Sequence, residues 1–223
     1  MKPRAWIFIV AGWLALALTA RAADWYRLSP DEFAHRPETG DRIDPAHFNG
    51  GLLAAAIFHE TNRTRRRLGL PAFRHLAKLD TAADLKAAIG VFEPEVRHES
   101  ALPLTATPAE RVKSTGLEYS LVAENIARLP SYDLPDGTKK LEVRKENGRE
   151  VFYRTDTGRP AELHTYAGFA AYVVDSWMRS PGHRANIVNP ELVALGCAAR
   201  PCLSPINGHE QVYAVQVFHA PPR

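Results

Sequence analysis

The stretch "SWMRSPGHRANIVNP", residues 176–190, is the most tightly punctuated in the chain. A helical run through Trp177 stops at Ser180-Pro181-Gly182, His183 follows at once, and Pro190 closes the segment. Serine favours the N-cap and proline the first helical position, so Ser180 is expected to cap a new short helix. That corner fixes His183 at the helix start. The ring either packs a bend or forms one wall of a site, where a rigid corner preorganises it. Upstream, Thr165 to Met178 reads as a helix, with Phe169, Val173 and Trp177 recurring every fourth residue. Downstream, Val193–Ala199 and Gln211–His219 are apolar, β-rich runs that read as strands.

The chain begins with a different kind of segment. Lys2 and Arg4 precede an apolar run from Trp6 to Ala20, and Ala20-Arg21-Ala22 has the small-x-small form of a cleavage site. This is the layout of a secretory signal peptide over residues 1–22. The run is shorter than the roughly 18 apolar residues of a membrane-spanning helix. The mature chain is therefore expected to lack a transmembrane segment and to be secreted or periplasmic. The formal charge of +3 is accounted for by Lys2, Arg4 and Arg21, so the mature protein is formally neutral and nothing in its charge points to nucleic acid. Export also favours a local disulfide between Cys197 and Cys202.

Residues 23–47 are polar and proline-bearing and read as an extended N-terminal arm. Phe48 to Leu68 turns helical and is stopped by Gly69-Leu70-Pro71. Arg63, Arg65, Arg66 and Arg67 crowd its last turns, where cations complement the helix dipole. A second helix is suggested around Leu79–Ala87, and Thr107-Pro108-Ala109-Glu110 is a capping-box start. Residues 130–164 differ in character. Lys140–Lys145 and Glu150–Arg154 flank Asn147-Gly148, which reads as a polar surface hairpin.

Several chemistries find no support. His59-Glu60 begins like a zinc-protease helix, but Arg63 stands where the second histidine must fall. There is no G-x-S-x-G elbow and no phosphate-cradling glycine loop. Three segments remain: Arg97-His98-Glu99-Ser100, Val122-Ala123-Glu124-Asn125-Ile126-Ala127, and the stretch around His183. A carboxylate among apolar neighbours, as at Glu124, needs a partner. Two histidines would supply one, and the trio would suit a divalent metal or proton transfer. By spacing alone, structural histidines satisfied by their neighbours are the stronger reading.

Together these segments resemble the CAP superfamily of cysteine-rich secretory, antigen 5 and pathogenesis-related proteins, in its bacterial secreted branch. The resemblance runs from about Leu52 to Phe218. It is carried by Asn62-x-x-Arg65-x-x-x-Gly69-Leu70-Pro71-x-Phe73, His98-x-Ser100, Ala123-Glu124-Asn125-Ile126-Ala127, Trp177-x-x-Ser180-Pro181-Gly182-His183-Arg184-x-Asn186-Ile187, Leu195-Gly196 and Val215–Phe218. It implies an α+β fold, a three-layer α-β-α sandwich around a small, mainly antiparallel sheet, spanning residues 48–220 with the hairpin inserted at about 130–164. It also implies that His98, Glu124 and His183 line a central cleft, with Ser100, Asn125, Ser180, Arg184 and Asn186 in support. Some members bind a divalent metal there, which makes His98 and His183 the candidate ligands and zinc the candidate ion. Ser180 stands where animal members have a glutamate, and Lys86 replaces a histidine common in the second helix.

These features favour a binding module for a small ligand, a lipid or a cell-envelope component over an enzyme. The alternatives are a metal-assisted hydrolase or peptidase using the same cleft, and a protein-interaction module using the hairpin.

Overall fold

The computed structural model describes residues 25–134, 141–146, 149–202 and 210–222. The expected leader, the Asn147-Gly148 turn and the loop with Pro205 and Gly208 lie outside the described residues. Local chemistry sets the helix starts. Helix α1 (Pro30–Ala34) begins on a Ser29/Glu32 capping box, and α2 (Gly50–Arg67) on Asn49, whose side chain accepts the Leu52 N–H. Helix α3 spans Ala77–Gly90. The expected Thr107/Glu110 capping box opens α4 (Pro108–Ser114). Thr165 caps α5 (Tyr166–Arg179), and α6 (Pro181–Val188) follows directly.

Strands β1 (Arg74–His75), β2 (Leu121–Pro130), β3 (Leu141–Glu146), β4 (Arg149–Arg154), β5 (Ala194–Pro201) and β6 (Gln211–Ala220) form two sheets. The main sheet has the order β1-β5-β6-β2, parallel only where β1 meets β5. Strands β3 and β4 pair alone as the expected hairpin, with Phe152 anchored against the Tyr132 ring. Every residue of β6 is buried, because both faces of the central strand are covered.

Strand alternation distributes the core between two layers. Leu195, Cys197 and Ala199 of β5 join Val212, Ala214 and Phe218 of β6 beneath α2 and α5. Ala194 and Ala198 join Tyr213, Val215 and Val217 beneath α3 and α4. Trp177 is 1% exposed in the first cluster. Emptying such a site costs about 3–5 kcal/mol. Gly196 lets α3 lie directly on the sheet, since a Cβ there would sit 2.3 Å from Leu79 C and Asp80 N. The α-β-α sandwich is thus present as expected.

Two expectations are corrected. Residues 25–47 do not form an extended arm. They fold into α1 and short 3-10 turns at Pro37–Gly40 and Pro45–His47, because Trp25, Phe33 and Ile43 bury in the first core cluster. Cys197 and Cys202 are both free thiols. They are an odd number of positions apart along extended chain, so their side chains point to opposite faces of the sheet. Cys197 packs in the α2/α5 layer and Cys202 against the α3/α4 layer.

Candidate functional site

Glu124 lies on β2 at the edge of the sheet, and its side chain is 1% exposed. It faces α4, whose Arg111 is 0% exposed. Arg111 Nη2 donates to Glu124 Oε1 at 3.0 Å and Oε2 at 2.8 Å. A buried carboxylate is tolerated when it is paired in this way. The same guanidinium donates to the carbonyls of His98, Thr105 and Ala106 at 3.0, 2.9 and 3.0 Å. It therefore staples the loop 91–106 to the sheet edge and brings His98 to Glu124. His98 Nδ1 lies 3.0 Å from Glu124 Oε1, while the His98 side chain remains 47% exposed. Its Nε2 has no hydrogen-bond partner among the described residues.

Lys86, in the position of the family histidine, is a second staple. It is fully buried, pairs with Glu93 Oε2 at 2.6 Å, and donates to Glu99 O and Ser100 Oγ at 3.3 and 3.4 Å. Ser100 thus supports the loop, and its hydroxyl is engaged by lysine rather than by a histidine base.

Asn125 points to the other face of β2 and grips α6. Its Nδ2 donates to His183 O and to Gln216 Oε1, both at 3.1 Å. Asn186 Nδ2 donates to Asn125 Oδ1 at 2.8 Å and Glu124 O at 3.3 Å. Gln216 Nε2 in turn donates to Thr61 Oγ1 of α2 at 2.6 Å. At the far end of α6, buried Arg65 donates to Ile187 O and Asn189 O at 2.6 and 3.2 Å, with its guanidinium 3.9 Å from the Phe73 ring centre. Arg65 is therefore a tie between elements and does more than complement the dipole of its own helix.

Ser180 occupies the N-cap position of α6, but its hydroxyl makes no capping hydrogen bond. Pro181 at the helix start and the hold of Asn125 on the His183 carbonyl define that corner instead. Arg184 is exposed. The His183 imidazole is held below its ordinary pKa of 6.5, first by burial and then by the nearby charge of His98.

Among the described residues, no three His, Cys, Asp or Glu side chains converge to hold a metal ion. Glu124 is committed to Arg111 and His98, so a direct metal bond from it does not fit. Two imidazoles remain as donors. The Glu124 carboxylate on His98 Nδ1 fixes the ring in the way that carboxylates orient metal-binding histidines. His59 is elsewhere and structural: its Nε2 meets Trp25 O at 2.9 Å, it stacks on Phe33, and burial lowers its pKa to about 4.

Arg111 and Gln216 were not singled out from the sequence. Gln216 carried a signal, as a polar residue inside an apolar strand run. Arg111 carried none, because on an amphipathic turn it reads like any surface arginine.

The profile of the CAP family, described as the cysteine-rich secretory protein family, matches residues 58–218. The chain belongs to the CAP family. Solved bacterial structures are similar to the chain. An outer surface protein of Borrelia burgdorferi is 15% identical, with 82% of this chain and 99% of that chain covered and a TM-score of 0.50. An extracellular SCP-domain protein of Bacillus anthracis is 19% identical over 77% of this chain, with a TM-score of 0.49. A cysteine-rich secretory protein of Staphylococcus aureus is 14% identical over 77% of this chain, with a TM-score of 0.43. The match covers 41% and 39% of the length of the latter two chains. No functionally curated protein matches the chain.

Proposed function

We propose that this CAP domain works outside the cytoplasm as a ligand-binding module whose cleft is built on His98 and His183, with zinc as the metal those imidazoles would hold. One observation carries the reading. The His98 ring is pinned through Nδ1 by Glu124 yet stays half-exposed, and the next residue, Asn125, holds the His183 main chain. The loop that carries it displays Phe92, Val96, Leu102 and Leu104, all exposed, and Leu104 holds a positive φ of 65°. Clustered exposed apolar side chains mark binding surfaces, which favours a small amphiphilic, lipid or envelope ligand. The extracellular and outer-surface descriptions of the structural relatives support the location. No helix among the described residues is long and apolar enough to cross a membrane.

The hydrolase alternative is weaker. Glu124 as general base would have to take a proton while ion-paired with a buried guanidinium, and Ser100 has no histidine beside its hydroxyl. When bound, the metal would supply a Lewis acid at the cleft. The chain's own residues orient His98 and hold α6 in place.

Calorimetric titration of the mature protein with zinc chloride tests the metal reading. A one-to-one event is expected, weakening as pH falls through the region near 6.5 where an ordinary histidine titrates. His98→Ala and His183→Ala, shown to be folded by circular dichroism, should each abolish it. Absence of any event with the wild type would remove the metal. An unaltered isotherm in the double variant would move it elsewhere.

A further inference from the structure

We infer that the open edge of the β3–β4 hairpin is a self-recognition surface, where two copies of this chain pair β3 against β3, antiparallel, into one continuous sheet. The first observation is the phase of the hairpin's hydrogen bonds. On the outer side of β4, Ala161 N donates to Phe152 O at 2.7 Å and Arg154 N to Arg159 O at 2.8 Å. Even-numbered positions of β4 therefore bond outward, and Val151 and Tyr153 bond inward to Arg144 and Glu142. The other positions of β3, Leu141, Val143 and Lys145, turn their N–H and C=O groups away from the hairpin. Among the described residues no strand pairs with that edge. Strand β4 is thus covered on both sides and β3 on one, and residues 142–146 are exposed. A lone two-stranded hairpin is marginal in water, and added strands sharing an apolar face stabilise it.

The second observation is the order of side chains along that edge. A two-fold axis relating antiparallel strands stands normal to the sheet, so each face maps onto itself and opposed residues share a face. The axis must then pass between one residue and its own copy. At Glu142, Arg144 or Lys145 it sets like charge against like charge, which is destabilising. At Leu141 the strands overlap only at their ends. At Val143 the edge is complementary to itself. Val143 meets the partner's Val143, Leu141 meets the aliphatic stem of the partner's Lys145, and Glu142 meets the partner's Arg144 on either side of the axis. This axis also falls on an outward-bonding position. Main-chain bonds therefore form at Leu141, Val143 and Lys145, and the Glu142–Arg144 contacts fall at the non-hydrogen-bonded pairs, where side chains come closest.

Within one chain Glu142 and Arg144 already pair, with Arg144 Nε and Nη2 donating to Glu142 Oε1 and Oε2 at 3.1 and 3.0 Å, and the guanidinium lies 4.2 Å from the Tyr153 ring centre. Both side chains stay exposed at 45% and 55%. A second copy extends that pair into a row of alternating sign and needs no unpaired charge. The charges select the register, while the main chain and Val143 supply the contact. Val143 is 46% exposed and stands opposite Phe152, which is buried against Tyr132. Charged side chains usually keep edge strands apart; here their order admits one pairing. Because the outer side of β4 is occupied, assembly closes at two copies.

Sedimentation equilibrium and amide hydrogen exchange of the mature protein across a concentration series test this. A reversible dimer is expected, with concentration-dependent protection of the Leu141, Val143 and Lys145 amides. Val143→Pro removes the donor at the axis and spares the hairpin's own ladder, since that N–H points outward. It should weaken association by about tenfold or more, with an unchanged circular dichroism spectrum and zinc isotherm. Glu142→Arg and Arg144→Glu should each weaken self-association by about tenfold, and an equimolar mixture of the two should recover a dimer by restoring opposite signs across the axis. A protein that stays monomeric up to millimolar concentration overturns the proposal. So does a dimer indifferent to Val143→Pro, a mixture of the charge variants that fails to associate, or an assembly that grows beyond two copies. Loss of zinc binding with the dimer intact would touch only the reading of the His98 cleft.

Discussion

The sheet carries a histidine–carboxylate pair at each side, and the two pairs differ in what surrounds them. At β2, His98 meets Glu124 at 3.0 Å; near β5, His75 meets Asp80 at 2.6 Å. Glu124 has a buried arginine as counter-charge, and its histidine is half-exposed. Asp80 has no arginine or lysine partner among the described residues. Burial raises its pKa, and its other oxygen is used to hold Cys197 N–H. His75 lies flat beneath the Tyr26 ring, with centroids 3.5 Å apart. The chemical groups match, but one pair leaves its histidine half-exposed and the other latches α3 to the sheet edge. A pair becomes a candidate site through its counter-charge and its exposed remainder.

The largest test of that contrast removes the counter-charge. Arg111→Met should cost about 3–5 kcal/mol of stability in chemical denaturation, because it leaves a buried carboxylate unpaired. Arg111→Met with Glu124→Gln should recover part of the loss. A loss below about 1 kcal/mol, the range of exposed pairs, would mean that solvent reaches Glu124 and that Arg111 is not the frame.

The histidines provide a smaller comparison. His75→Ala should cost about 1–3 kcal/mol by stranding buried Asp80. His98→Ala should cost under about 1 kcal/mol, since half of its ring is already in water. Equal losses would erase the distinction between latch and site.

The smallest expected effect is on pH dependence. Asp80 binds its proton more tightly in the fold than its ordinary value of 3.8. Between that value and the raised one, the native state holds more protons than the unfolded state. Stability contributed by this group therefore falls as pH rises through that window. Asp80→Asn should flatten that limb of the stability profile, and the wild-type Asp80 carboxyl carbon should titrate late by NMR. A titration at or below 3.8 would show that solvent reaches the latch.

The sequence by itself determined most of the local structure and the family. A capping box wrote the start of α4, hydrophobic period marked the helices and final strands, and the His98, Glu124 and His183 motifs stood out as three segments. These signals are legible because they act over one turn or one strand. Tertiary structure decided the rest. It buried Trp25, Phe33 and Ile43, turning the supposed arm into core. It sent Cys197 and Cys202 to opposite faces of the sheet. It chose Arg111 as the partner of Glu124, when the sequence offered only histidines. It left Ser180 at a cap position without a capping bond. Each of these outcomes depends on which side chains meet across distant segments, and burial decides that only after the sheet has formed between its two helical layers.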